Sequence, residues 1–202
     1  CYDLDHNKVN KINNKISPVK DKHISKYLSN KDLDINAVSQ FPKDQDFDFA
    51  IIATPTNYDP ENNYFDTSSV ETSIQNLEKI NIKAAIVIRS TLPVGFTQKI
   101  QKDYESNEII FVPEFLREGS ALKDSLYPSR IIIGSHSEKA KIFSKLLLDV
   151  VDNKNCKILF TKSSEAESSK LFANAFLALR VSFFNELDTF ALSRNLDTKE
   201  II

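Results

Sequence analysis

EIIFVPEFLREGSALKDSLYPSRIIIG, residues 108–134, is a polar loop slung between two apolar runs, EIIFV and RIIIG. Short apolar runs bounded by turn residues read as buried strands. Loops that leave the carboxyl ends of parallel strands are where α/β proteins bind ligands. Glu114 and Glu118 are four apart, so one helical turn would set both carboxylates on one side, with Arg117 beside them. Such a group can grip hydroxyls and a phosphate.

The same plan recurs on either side. FDFAIIATPTNYDP (residues 47–60) and KAAIVIRSTLPVGFT (83–97) are each an apolar run that ends in hydroxyls and proline: Thr54, Pro55 and Thr56 in the first, Ser90, Thr91 and Pro93 in the second. A helix follows the first, announced by the capping pattern from Ser68 to Glu71. After RIIIG come a helix through KAKIFSKLLLDVV (139–151) and a strand, CKILFT (156–161). Strands alternating with helices predict an α/β fold, a Rossmann-like doubly wound parallel sheet with helices on both faces. Toward the amino end, Pro18 breaks a first helix, HISKYLSN suggests a second and DINAVSQ a short strand.

From Ser164 to Arg194 the pattern is one long helix, with Ser164 and Glu167 at capping-box spacing. Leu171, Phe172, Phe176, Leu179, Phe183 and Leu187 recur at threes and fours, an apolar stripe that needs a partner. Lys170 and Asn174, four apart, project together beside it. An ammonium and an amide N–H make a donor pair for an oxygen that gains negative charge.

Composition excludes several classes. The 202 residues carry 26 basic and 28 acidic side chains, a formal net charge of −2, with no basic stripe to invite nucleic acid. No apolar run approaches the length of a membrane span and no signal peptide is present, so the expected compartment is the cytoplasm. Cys1 and Cys156 form no ligand or redox pair, and Cys156 reads as a small buried thiol. His6, His23 and His136 lie far apart in polar contexts, which gives no metal site. The only glycines are Gly95, Gly119 and Gly134, so no G-x-G-x-x-G phosphate loop lies in these residues. With no methionine and a start at Cys1, the expectation is a segment whose beginning is missing.

PEFLREGSALKDSLYPSR, ATPTNYDPENNYFDT, STLPVGFT and KLFANAFLALRVSFFNELDTFA together resemble, in order and spacing, the signatures of the UDP-glucose/GDP-mannose dehydrogenase family, its UDP-glucose 6-dehydrogenase branch above all. These motifs cover nearly the whole chain. The resemblance implies a cytoplasmic homodimer that oxidises the primary alcohol of UDP-glucose to a carboxylate with two NAD. It implies an NAD-binding domain over residues 1–161 and the start of a central helical, dimer-forming domain over 162–202.

Residue by residue, the resemblance gives Asp3 the adenosine ribose hydroxyls and Lys8 a nearby cofactor contact, with Asp5 the runner-up on spacing. The alternative, the less favoured even without the resemblance, is that Asp3 and Lys8 merely cap and solvate the next helix. Thr56 matches a threonine that contacts NAD. Thr91 matches one at the reaction centre, near nicotinamide and a catalytic water. Glu118 matches a residue that holds water or acts as a base there. Glu114, Phe115, Leu116, Arg117 and Glu118 line the sugar-nucleotide side, and Lys170 and Asn174 bind substrate and stabilise its anionic oxygen.

The family's nucleophilic cysteine sits in a glycine-rich stretch beyond the long helix, so the chain alone is expected to bind NAD poorly and turn nothing over. A first strand of the sheet is likewise expected to be absent, leaving the strand of Asp3 unpaired with IIATPT. Rival readings are a GDP-mannose or UDP-N-acetylmannosamine dehydrogenase, a non-catalytic nucleotide-sugar or NAD binding module, and a dimerisation domain built on the long helix.

Overall fold

Each apolar run ends where its backbone hands one hydrogen bond to the next, and that repetition levels the strand ends into a single rim. The computed structural model describes residues 1–202 except 31, 32, 42–46, 81, 118 and 154. Strand β1 (Phe49–Ile52), a hairpin of β2 (Tyr58–Asp59) and β3 (Tyr64–Phe65), β4 (Ala85–Ile88), β5 (Ile109–Phe111), β6 (Arg130–Ile133) and β7 (Lys157–Phe160) follow one another along the chain. Strands β1, β4 and β5 are parallel in that order, and β6 pairs parallel with β7. At the carboxyl ends, Arg89 N–H donates to Ile52 O at 2.8 Å, Val112 N–H to Ile88 O at 2.9 Å, Gly134 N–H to Phe111 O at 2.8 Å and Thr161 N–H to Ile133 O at 2.9 Å. The third of these bonds ties the two strand groups together.

Helices cover both faces. Helices α3 (Ser68–Lys79) and α4 (Phe96–Asp103) pack on one through Val70, Ile74, Leu77, Phe96 and Ile100, against Ile86, Ile88, Ile109, Phe111 and Ile132. Helix α6 (Glu138–Val150) packs on the other through Ala140 and Phe143, against Ala85, Val87, Ile110, Val112, Ile131 and Ile133. Alternate residues of one strand therefore serve opposite cores, and β4 is buried throughout. This is the expected Rossmann-like α/β arrangement.

The amino end carries α1 (His6–Asn13) and α2 (Lys22–Leu28). Asp5 caps α1 by accepting from Asn7 N–H and Lys8 N–H. Asp3 therefore stays at the end of the extended segment, where Tyr2 bridges Val38 in parallel. The expected DINAVSQ strand reduces to that bridge. Among the described residues, β1 pairs with β4 alone, and its Ile51 is exposed.

After α5 (Ala121–Leu126), β6, α6 and β7 comes α7, Ser163–Ser193, 31 residues, and a short α8 (Thr198–Ile201). Gly134 lets α7 approach the sheet. A Cβ there would lie 2.9 Å from Phe111 O, 3.1 Å from Ala166 Cβ and 3.1 Å from Ser163 Cα. Beyond its first turns α7 leaves the sheet, and Phe172, Phe176, Leu179 and Phe183 stand exposed.

Three local expectations are corrected. The stretch 113–117 is irregular rather than a helical turn, because the helix in this loop, α5, begins only at Ala121. The cap of α3 is Thr67, one residue earlier than expected, and its hydroxyl donates to Glu71 Oε1 at 2.8 Å. Ser164 and Glu167 form no capping box, since the Glu167 carboxylate is spent on α4, accepting from Gly95 N–H and Thr97 N–H.

Candidate active site

Above the rim, the loops after β1, β4 and β5 meet the first turns of α7 around a cleft of about 380 Å³. Thr54, Thr56, Thr91, Glu114, Leu116 and Lys170 line it. Its floor is laced by short hydroxyl bonds. Thr56 Oγ1 donates to Thr91 O at 2.7 Å, and Ser90 Oγ to Thr54 O at 2.6 Å. The hydroxyls of Thr56 and Ser90 thus fix loops rather than cap helices, and Gly95 takes the cap position of α4. Lys170, on α7, spans to the substrate loop, where Nζ donates to Glu114 O and lies 5.4 Å over the Phe115 ring. Burial pushes the Lys170 ammonium below the usual lysine range, and the Glu114 carboxylate partly opposes that.

A second cavity of about 520 Å³ adjoins the first, and Arg89, Glu114 and Leu116 line both. Arg89 Nε donates to Glu114 Oε1, so this ion pair is the partition. Arg130 lies 5.0 Å over Phe115, which gives that ring two cations. Arg117 faces this cavity but is held by Asp124: its backbone N–H, Nε and Nη2 donate to the carboxylate at 2.8, 3.1 and 2.7 Å.

The family NAD binding domain of the UDP-glucose/GDP-mannose dehydrogenases matches residues 1–151, and the central domain of that family matches residues 164–202. The chain belongs to the UDP-glucose/GDP-mannose dehydrogenase family. It is 48% identical over 202 residues to a UDP-glucose 6-dehydrogenase of Campylobacter jejuni, which covers 99% of this chain and 51% of that protein. It is 44% identical to one from Streptococcus pneumoniae, with 99% of this chain and 52% of that protein covered. A solved UDP-glucose dehydrogenase from Pyrobaculum islandicum superposes with a TM-score of 0.80 at 26% identity, over 99% of this chain and 49% of that one. The chain spans about half the length of the curated relatives it matches.

Within this family member, Thr56, Thr91, Glu114, Leu116 and Lys170 come together in the smaller cleft, while Phe115 and Arg117 line the larger one. Asn174 lies one turn beyond Lys170 on α7, exposed, and lines neither. Asp3 and Lys8 pair with each other at 3.5 Å away from both cavities. Glu118 lies outside the described residues. Sequence reasoning missed Arg89, although a lone charge closing the apolar AIVI run at a strand's carboxyl end was the signal.

The Arg117 bonds hold the Asp124 carboxyl down to about 2, against an ordinary 3.8. A carboxyl with a depressed folded pKa stabilises above its unfolded value, and that contribution fades as pH falls from 3.8 through about 2. In acid unfolding followed by circular dichroism, Asp124→Asn is expected to remove that part of the pH dependence and leave stability at pH 2 close to the parent's.

Proposed function

We propose that these 202 residues form the cofactor side and part of the sugar-nucleotide side of a UDP-glucose 6-dehydrogenase, which oxidises UDP-glucose to UDP-glucuronate. The observation that carries this reading is the convergence of Thr91, Glu114 and Lys170 on one cleft from three separate elements. Identities of 48% and 44% to proteins of that name favour UDP-glucose over GDP-mannose or UDP-N-acetylmannosamine.

The donor set suits NAD in part. Hydroxyls at a parallel rim suit a nicotinamide and the Asp3 carboxylate, at the end of the separate extended segment of Tyr2, suits an adenosine ribose, whereas no glycine loop among these residues would cradle the diphosphate. When bound, NAD supplies the hydride acceptor. Asp3 and Lys8 would hold its adenosine end, and Thr56, Thr91 and Glu118 its nicotinamide end.

The chain's own groups would then divide the work. Lys170 donates to the substrate oxygen as negative charge builds on it, a role suited to a partly desolvated ammonium; Asn174, which lines neither cavity, would join it only if substrate reached beyond the cleft along α7. Thr91, whose hydroxyl is held by no side-chain bond among the described residues, orients a water without adding charge. Glu118 takes or gives the proton of that water. Residues 114–117 bind the sugar nucleotide. Neither cysteine lines the cleft: Cys1 is exposed outside it, and burial pushes the Cys156 thiol up. The same reading makes the protein a cytoplasmic homodimer paired along the exposed apolar stripe of α7. Among the described residues no helix is long and apolar enough to cross a membrane.

Calorimetric titration tests the proposal. UDP-glucose should bind in preference to GDP-mannose and UDP-N-acetylmannosamine, and Lys170→Ala should weaken it by roughly tenfold or more, since hydrogen bonds from charged donors contribute about 1.5–3 kcal/mol. Tighter binding of a GDP-sugar, or indifference to the loss of Lys170, would overturn it.

A further inference from the structure

Glu167 is the one carboxylate in this chain with no exposed surface among the described residues, and the chemistry proposed above does not use it. Isolated buried charge is costly unless hydrogen bonds replace its water. Here they do: Glu167 accepts from Gly95 N–H at 2.6 Å, Thr97 N–H at 2.8 Å and Thr97 Oγ1 at 2.6 Å. These are the first donors of α4, which has no side-chain cap of its own because Gly95, at φ 90°, sits in the cap position. At that φ a serine or aspartate would be strained, so residue 95 cannot supply a local side-chain cap. The cap comes instead from α7, seventy residues on, so it also joins two elements.

Both ends of that joint lead into the cleft. Lys170 follows Glu167 by three residues, one turn along the same side of α7. Thr91 precedes Gly95 by four, through Leu92, which is buried, and Pro93, whose φ is fixed. The same face of the first turns of α7, at Ser163 and Ala166, rests on Gly134, where no Cβ would fit. The start of α7 is held at two points along one face, and Lys170 reaches Glu114 O from that footing.

We infer that Glu167 is a positioning residue: its bonds to the amino end of α4 hold Lys170 and Thr91 in register across the cleft. This rests on the reading that Lys170 and Thr91 serve one reaction centre. Glu167→Gln is nearly isosteric but sets an amide N–H against one of the N–H donors, and Thr97→Val removes a single donor without changing charge.

The test is competitive acylation of the chain at alkaline pH, with each lysine read by peptide mass spectrometry, below the unfolding temperature of each variant. Lys170 is expected to label at least threefold faster in Glu167→Gln than in the parent, and by a smaller factor in Thr97→Val. Lys99 and Lys139 should not change. If Glu167→Gln is folded and melts lower while Lys170 labels as in the parent, the carboxylate is a cap only and the inference falls. Should that variant not fold, an unchanged Lys170 in Thr97→Val overturns it equally. Protection of Lys170 by UDP-glucose in the parent separates the two ideas: no protection together with faster labelling in the variants sinks the assigned function and keeps the positioning role, and protection with unchanged labelling does the reverse.

Discussion

Phe111→Ala is expected to destabilise the chain by about 3–5 kcal/mol, the range for truncating a fully buried phenylalanine. Phe111 has no exposed surface and sits on β5 in the core beneath α3 and α4. Its neighbours there are strand and helix residues fixed by their own hydrogen bonds, so the cavity can collapse only partly. Urea unfolding followed by circular dichroism measures the loss, and Phe111→Leu, which keeps most of the volume, should cost about 1 kcal/mol. A loss below about 1 kcal/mol for the alanine variant would show that the two faces of the sheet are not packed as described.

Gly134→Val is the second large effect, and it works by overfilling. The added Cβ would stand 2.9 Å from a backbone carbonyl and 3.1 Å from two atoms of the first turn of α7. None of these is the tip of a flexible side chain. Either the Gly134 to Phe111 bond breaks or α7 is pushed away, at a cost of about 3 kcal/mol, the upper part of the overpacking range. The same urea experiment reads it. A displaced α7 should also separate Lys170 from Glu114, so Lys170 is expected to acylate faster even in the fraction that remains folded.

Much of this was legible because burial on two faces writes continuous apolar runs. FAII, AIVI, IIF, RIII and KILF each became a strand, and the hydroxyls and prolines after them became the rim. Residues that act along the backbone, or over one turn of helix, announce themselves by spacing. Glu167 did not, for a physical reason. Its distance from Ser164 is that of a capping box, but α4 had unmet buried donors and α7 lay against it, so the carboxylate went where it replaced more lost water. Only the packing decides between those partners. Glu114 was misread in a related way: the four-residue spacing to Glu118 means a shared side only on a helix, and the chain after β5 is irregular, so Glu114 turns to Arg89 instead.

The footing of α7 has a mechanical consequence. The helix is gripped over its first turns and then runs on for most of its 31 residues, so it behaves as a lever with its fulcrum at Gly134 and Glu167. At 1.5 Å of rise per residue its arm from Glu167 to Ser193 is about 39 Å, and a tilt of about 5° at the fulcrum would sweep the far tip by about 3 Å. Small strains felt at the cleft are thereby magnified at the distant phenylalanines.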